Sequence, residues 1–180
     1  LAKVLFGDVN PSGKLPETWP RRYADTPVAT CGTYNDRKVV YNERFYVGYR
    51  WYDSKKVEPM FPFGYGLSYT TFAYSDLKVA VVRGVASCTS GKDSASPLSA
   101  ADGWDVTAQV TNTGARDGKE TAELYLHALG SKVERVEQEL KGFDKVFVKA
   151  GGTATARMRV TPRDLAYYDV LSHRWRADAG

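Results

Sequence analysis

The run Trp104-Asp-Val-Thr-Ala-Gln-Val110 decides the fold class. Trp104, Val106, Ala108 and Val110 share one side of it, and Asp105, Thr107 and Gln109 share the other. A period of two is the pattern of a strand with one face in a core and one in water. Ala122, Leu124 and Leu126 repeat it downstream, and so do Ala154, Ala156, Met158 and Val160, which alternate with Thr155, Arg157 and Arg159. Residues 77–82 and 143–148 read as two more short strands, and residues 173–176 as a last one. Thr113-Gly114, Asp117-Gly118 and Gly151-Gly152 punctuate these runs as turns.

Short alternating strands with regular turns predict a mainly β domain, an antiparallel sandwich of the immunoglobulin or fibronectin III-like kind. Its expected core is Trp104, Val106, Val110, Leu124, Leu126, Met158 and Val160. Residues 84–103, rich in Ser, Ala and Gly, interrupt the pattern and are expected to form a mobile surface loop.

Upstream of the sandwich the texture changes. Twelve of the chain's 23 aromatic residues fall between Tyr41 and Tyr74. Phe45, Val47, Tyr49 and Trp51 alternate with Tyr46, Gly48, Arg50 and Tyr52, which predicts a strand covered on both faces. Residues 58–67 carry two prolines and two glycines and read as loop. Residues 1–7 read as the last turns of an apolar helix, with Gly7 as its left-handed cap. Asn10-Pro-Ser-Gly13 is a turn, and residues 15–19 are short and extended.

Composition limits the function. The 180 residues carry 25 basic and 21 acidic side chains, a net charge of +4, interleaved along the chain without a basic run. That spread argues against a nucleic-acid binder. No apolar run reaches the ~18 residues of a membrane-spanning helix. Two cysteines, Cys31 and Cys88, make no disulfide framework, and two distant histidines, His127 and His173, make no zinc motif. The chain opens on Leu1 and reads as an internal or C-terminal piece of something longer.

No pair among the acidic residues is set apart as glycosidase-like carboxylates. Glu43 and Asp53 flank the aromatic run, and pairing with Arg44 or Arg50 is the plainer reading beside sugar-hydroxyl recognition. Gly64-Tyr-Gly-Leu-Ser68 is neither a nucleophile elbow nor a phosphate loop. The aromatic block has three readings: a stacking surface for bases, a sugar-binding surface, or a core and interdomain contact. The third fits the interleaved Phe, Val and Gly best. The weak substrate-binding candidates are Trp51 and Tyr52. A stand-alone carbohydrate-binding module would use the region of Tyr46, Trp51 and Tyr52 as an exposed row of rings.

Three strings carry a family resemblance: Asn10-Pro-Ser-Gly-Lys-Leu-Pro16, Tyr49-Arg-Trp-Tyr-Asp53, and Phe61-Pro-Phe-Gly-Tyr-Gly-Leu-Ser-Tyr-Thr-Thr-Phe72. Together they resemble the C-terminal part of glycoside hydrolase family 3, the family of β-glucosidases and β-xylosidases. Asn112-Thr-Gly114, Gly118, Glu123-Leu-Tyr125 and Glu139-Leu-Lys-Gly-Phe143 resemble its fibronectin type III-like domain. The chain departs from the family at Glu43-Arg44, where Glu-Gly is usual, and at Arg135-Val136, where Arg-Pro is usual.

The resemblance implies residues 1–22 as the end of an α/β sandwich domain, 23–73 as an aromatic connector, and 74–180 as the fibronectin-like domain. It implies a retaining β-glucosidase-like parent whose catalytic Asp and Glu lie upstream, so that no catalytic residue falls in this chain. It implies no metal or organic cofactor. The expected partner is the catalytic portion of the parent, in the same chain or a companion, with a homo-oligomer as a further possibility. The resemblance favours a secreted or periplasmic setting.

Overall fold

The computed structural model describes residues 1–31, 33–34, 37–83 and 102–177. Residues 84–101, most of the expected mobile loop, lie outside the described residues, and with them any pairing of Cys31 with Cys88. The chain divides into two compact units. One is Leu1–Tyr69 with Tyr125–Leu140, and the other is Thr70–Leu124 with Lys141–Gly180.

The second unit is mainly antiparallel β. Strands β3 (Phe72–Val82), β4 (Gly103–Asn112) and β7 (Thr153–Val160) form a three-stranded sheet in the order β3-β4-β7. Strands β5 (Gly118–Leu126) and β6 (Glu139–Val148) form a second sheet. Beyond β7, the short helix α4 (Pro162–Leu165) precedes a hairpin of β8 (Tyr167–Asp169) and β9 (Arg174–Arg176). The expected last strand is therefore shorter than its reading, because His173 takes a left-handed backbone at φ 51° just before it.

Alternation does what the sequence leads one to expect. Along β4, Val106, Ala108, Val110 and Asn112 are buried, while Thr107, Gln109 and Thr111 between them are partly exposed. Val110, Ala156 and Met158 from the first sheet meet Ala122 and Val148 from the second, with Phe72, Leu124 and Val146 packed around them. That contact makes the two sheets a sandwich.

Of the expected core, Val106, Val110, Met158 and Val160 are buried, whereas Trp104, Leu124 and Leu126 are only half-buried. Trp104 lies opposite Val81 of the edge strand β3, itself 66% exposed, so that end of the sheet is open. Leu126 sits where the chain leaves the sandwich for the first unit.

Asn112 ends β4 with no exposed surface and a full set of partners. Its Oδ1 accepts from the Thr70 hydroxyl at 2.5 Å and from the Gly114 N–H at 3.1 Å. Its Nδ2 donates to the carbonyls of Arg116 at 2.7 Å and Val148 at 3.1 Å. A buried amide satisfied on both ends fixes a turn rather than weakening a core. This accounts for the Asn112-Thr-Gly114 string in structural terms.

The first unit opens with the one-turn helix α1 (Ala2–Leu5), followed by Gly7 at φ 83°. Residues 21–40 hold a 3-10 turn (Tyr23–Asp25), helix α2 (Pro27–Cys31) and a small ladder of β1 (Thr33–Tyr34) and β2 (Val39–Val40). Helix α3 (Tyr49–Lys55) comes next.

Helix α3 corrects the strand expected over residues 45–52. Gly48, at φ 55°, breaks the extended path and starts the helix. Rings at Tyr49 and Tyr52, three apart, also suit a helix face, and a seven-residue element is too short for its period to separate the two patterns. The underlying expectation, that these rings are covered on more than one side, holds for Trp51 and Tyr52.

Candidate functional site

Two of the three family-like strings, those that begin at Asn10 and at Phe61, are bonded to each other, together with the residues just after the first. The Leu15 N–H donates to the Tyr65 carbonyl at 2.8 Å, and the Gly64 N–H to the Leu15 carbonyl at 2.9 Å. Trp19 and Phe61 form an antiparallel bridge, and the Phe63 N–H reaches the Thr18 hydroxyl at 3.2 Å. Asn10 Oδ1 accepts from the Ser68 hydroxyl at 3.0 Å and the Tyr69 N–H at 2.9 Å. Gly66 is needed here: a Cβ on it would stand 2.5 Å from the Gly13 carbonyl oxygen.

This pairing leaves an apolar groove of about 400 Å³, lined by Leu15, Trp19, Phe61, Tyr65 and Leu67. Leu67 is 69% exposed and Trp19 48%. Phe6 and Leu5, at the end of α1, are also exposed.

Two rings of the aromatic block face inward, while Tyr41 and Tyr69 are exposed. Trp51 and Tyr52 are 7% and 5% exposed. The Trp51 indole N–H donates to the Asp25 carbonyl at 3.2 Å, tying α3 to the 3-10 turn. Burial, reinforced by the nearby Asp25 charge, raises the Tyr52 phenol above its ordinary pKa. Tyr49 packs on Phe63 at 5.1 Å and edge-on to Tyr125 at 5.7 Å, and its hydroxyl accepts from the Leu140 N–H at 2.8 Å.

Residues 127–138 clamp this block, a role that no periodicity announces. Tyr46 donates to Glu134 at 2.7 Å, and that bond, with burial, holds the phenol protonated above its usual range. Arg44 pairs with Glu134 at 3.3 Å. Lys56 pairs with Glu137 at 3.4 Å, and the Glu137 N–H donates to the Ser54 hydroxyl at 3.0 Å. Gln138 donates to Asp53 at 2.9 Å, and Val136 is buried. The signal that could have found this clamp is the Arg135-Val136 string, where a buried Val sits in an otherwise polar turn.

The candidate residues therefore separate. Trp51 and Tyr52 have no open ring face for a sugar, so the row of Tyr46, Trp51 and Tyr52 required of a stand-alone carbohydrate-binding module does not form. Asp53 is held by Gln138 rather than by Arg50, whose guanidinium lies over the Tyr49 ring at 6.0 Å. Glu43 is 8% exposed and is not paired with Arg44. Among the described residues no group of three or more His, Cys, Asp or Glu gathers as a metal site.

Arg44 stands at φ 55°. It occupies the place where the resembled family usually has Gly, and its guanidinium rests 5.4 Å from the Phe45 ring centre. A left-handed backbone costs an ordinary residue ~1–2 kcal/mol, and a β-branched residue more. Arg44→Val is expected to lower stability by about 2 kcal/mol, while Arg44→Gly should be neutral or stabilising. Urea unfolding of the two variants measures this. Equal effects would mean that the backbone conformation is not what matters.

Comparison with known proteins adds the family. The glycosyl hydrolase family 3 C-terminal domain matches residues 1–69, and a fibronectin type III-like domain matches residues 120–180. A β-glucosidase of Rhizobium radiobacter is 42% identical over 184 residues, covering 100% of this chain and 21% of its own length. The thermostable β-glucosidase B of Acetivibrio thermocellus is 42% identical over 180 residues, covering 100% of this chain and 22% of its own. A solved β-glucosidase of Bifidobacterium adolescentis superposes with a TM-score of 0.83 at 37% identity, over 100% of this chain and 24% of that one. The chain thus spans about a fifth of the length of the relatives it matches.

Proposed function

Because the chain belongs to glycoside hydrolase family 3, as its C-terminal region, we infer that it is the structural C-terminal part of a retaining β-glucosidase-like enzyme. The parent hydrolyses β-linked glucosides through two carboxylates and a covalent glycosyl intermediate. This part braces the catalytic domains and holds no catalytic residue itself. We read its division as residues 1–22 ending an α/β sandwich domain, 23–73 connecting, and 74–180 forming the fibronectin-like domain, with Tyr125–Leu140 of that last span belonging to the first compact unit.

One observation carries the reading: β-glucosidases align with the whole of this chain, yet the chain spans only about a fifth of them. The exposed apolar groove beside Leu67 supports it from the physical side. Exposed apolar patches mark docking surfaces, and the catalytic portion of the parent, the other four fifths of such an enzyme, is the occupant we assign to it.

The purified chain is expected to release no nitrophenol from nitrophenyl β-glucoside above a mock preparation, while the intact parent turns it over. Hydrolysis by the chain that survives further purification would remove the non-catalytic assignment.

A further inference from the structure

Residues 127–138 join β5 to β6, the paired strands of the second sheet, yet Tyr125–Leu140 belongs to the first unit. The sandwich core is built from residues outside this segment: Val110, Ala122, Val148, Ala156 and Met158. The end of the segment engages α3. The Leu140 N–H donates to the Tyr49 hydroxyl at 2.8 Å, Gln138 donates to Asp53 at 2.9 Å, and Glu137 pairs with Lys56 at 3.4 Å. Tyr49, Asp53 and Lys56, the residue that caps the helix, are four and three apart. That is the spacing of one stripe along a helix. Their partners run backwards through 140, 138 and 137, so the segment lies along the stripe in the opposite direction.

Helix α3 needs such support. Its seven residues fall short of the ~12–15 at which an isolated helix becomes even marginal. Gly48, at its start, brings no side-chain cap. Trp51, two residues from both Tyr49 and Asp53 and so on the far side, ties that side to the Asp25 carbonyl at 3.2 Å. The near side is held by partners 83–91 residues further along the chain. Because β5 and β6 pair, both ends of the segment are fixed. Ordering it on α3 then costs what a short loop costs rather than what a free tail would.

We propose that β5 and β6 are the holder of a strap, residues 127–138, that locks α3. The dependence runs one way: α3 requires the strap, and the sandwich does not. This goes beyond the bracing role above. It gives the sandwich strands the task of delivering the segment that completes a unit otherwise drawn from Leu1–Tyr69. It stands on the bonds of this chain itself and holds whatever glycoside the parent cleaves.

Amide exchange on the whole 180-residue chain tests it. In one variant a Gly/Ser linker of equal length replaces residues 127–138. Exchange over residues 49–55 should accelerate about tenfold or more, while exchange over 103–112 and 153–160 stays within about twofold. Tyr49→Phe is the mild variant. It keeps the ring against Phe63 and Tyr125 and removes the acceptor of the Leu140 N–H. It should speed exchange at Leu140 and over 49–55 roughly 3–10-fold, the worth of one hydrogen bond, and leave β4 and β7 unchanged.

Unchanged exchange over 49–55 in the linker variant would overturn the strap. Acceleration in β4 and β7 as well would make the segment part of the sandwich and overturn the one-way dependence. Should the linker variant fail to fold, Tyr49→Phe decides. Acceleration confined to Leu140 and 49–55 supports the strap, and acceleration spread over β4 and β7, or none anywhere, overturns it.

Discussion

Val110→Asp is expected to abolish cooperative folding of the sandwich unit. Val110 has no exposed surface and lies opposite Tyr74 on one side and Ala154 on the other, where the two sheets meet. An aspartate there is a buried charge with no cation among Ala122, Val148, Ala156 and Met158. The cost exceeds about 4 kcal/mol, a large part of the ~5–15 kcal/mol that holds a domain together. Val110→Ala, which only opens a cavity, should cost about 2 kcal/mol. Val79→Asp makes the control. Val79 sits opposite Val106 on the same sheet but is 61% exposed, so its variant should stay within about 0.5 kcal/mol of the parent sequence. Denaturant unfolding followed by circular dichroism measures all three. An unchanged midpoint for Val110→Asp would mean that β4 presents its other face to the core.

Trp51→Ala should cost the first unit about 3–5 kcal/mol. The ring is 7% exposed, and its N–H satisfies the Asp25 carbonyl. Truncation leaves both a large cavity and an unpaired acceptor. Trp51→Phe keeps most of the packing and loses the hydrogen bond, so its cost should be nearer 1–2 kcal/mol. Amide exchange over residues 49–55 is the direct readout, because loss of the anchor should free α3 first. If Trp51→Ala exchanges like the unaltered chain, the helix is held by Tyr49 and the 127–138 clamp alone. The burial that makes this effect large also removes Trp51 from any surface role. It neither stacks on a sugar nor forms the outer face of a docking patch.

The sandwich was legible because its strands are long enough to repeat. In β4 and β7 the period of two runs over eight or more residues, so side-chain direction and burial coincide. The edge strand β3 was legible as a strand but not in its exposure, since Leu77, Val79 and Val81 look like core residues and are all more than half exposed. Alternation states which side a residue faces. Whether a second layer stands over that side depends on segments far away in the chain.

The aromatic block divides in the same way. Its composition favoured a core or interdomain contact over a stacking surface, which holds for Trp51 and Tyr52 but not for Tyr41 at 75% exposure, and the family-like strings pointed to glycoside hydrolase family 3. Gly66 and Asn10 sit in those strings because two distant segments pass within bonding distance, a constraint written into local residue choice. The helix at residues 49–55 and the clamp by 127–138 were decided only by tertiary structure. Seven residues carry too little periodicity to choose between helix and strand, and the partners that fix Tyr46, Asp53 and Ser54 lie more than eighty residues away. What the sequence determined by itself is what repeats or what matches. What the fold decided is which polar groups find each other, and that rests on loop closure over distances that no local pattern records.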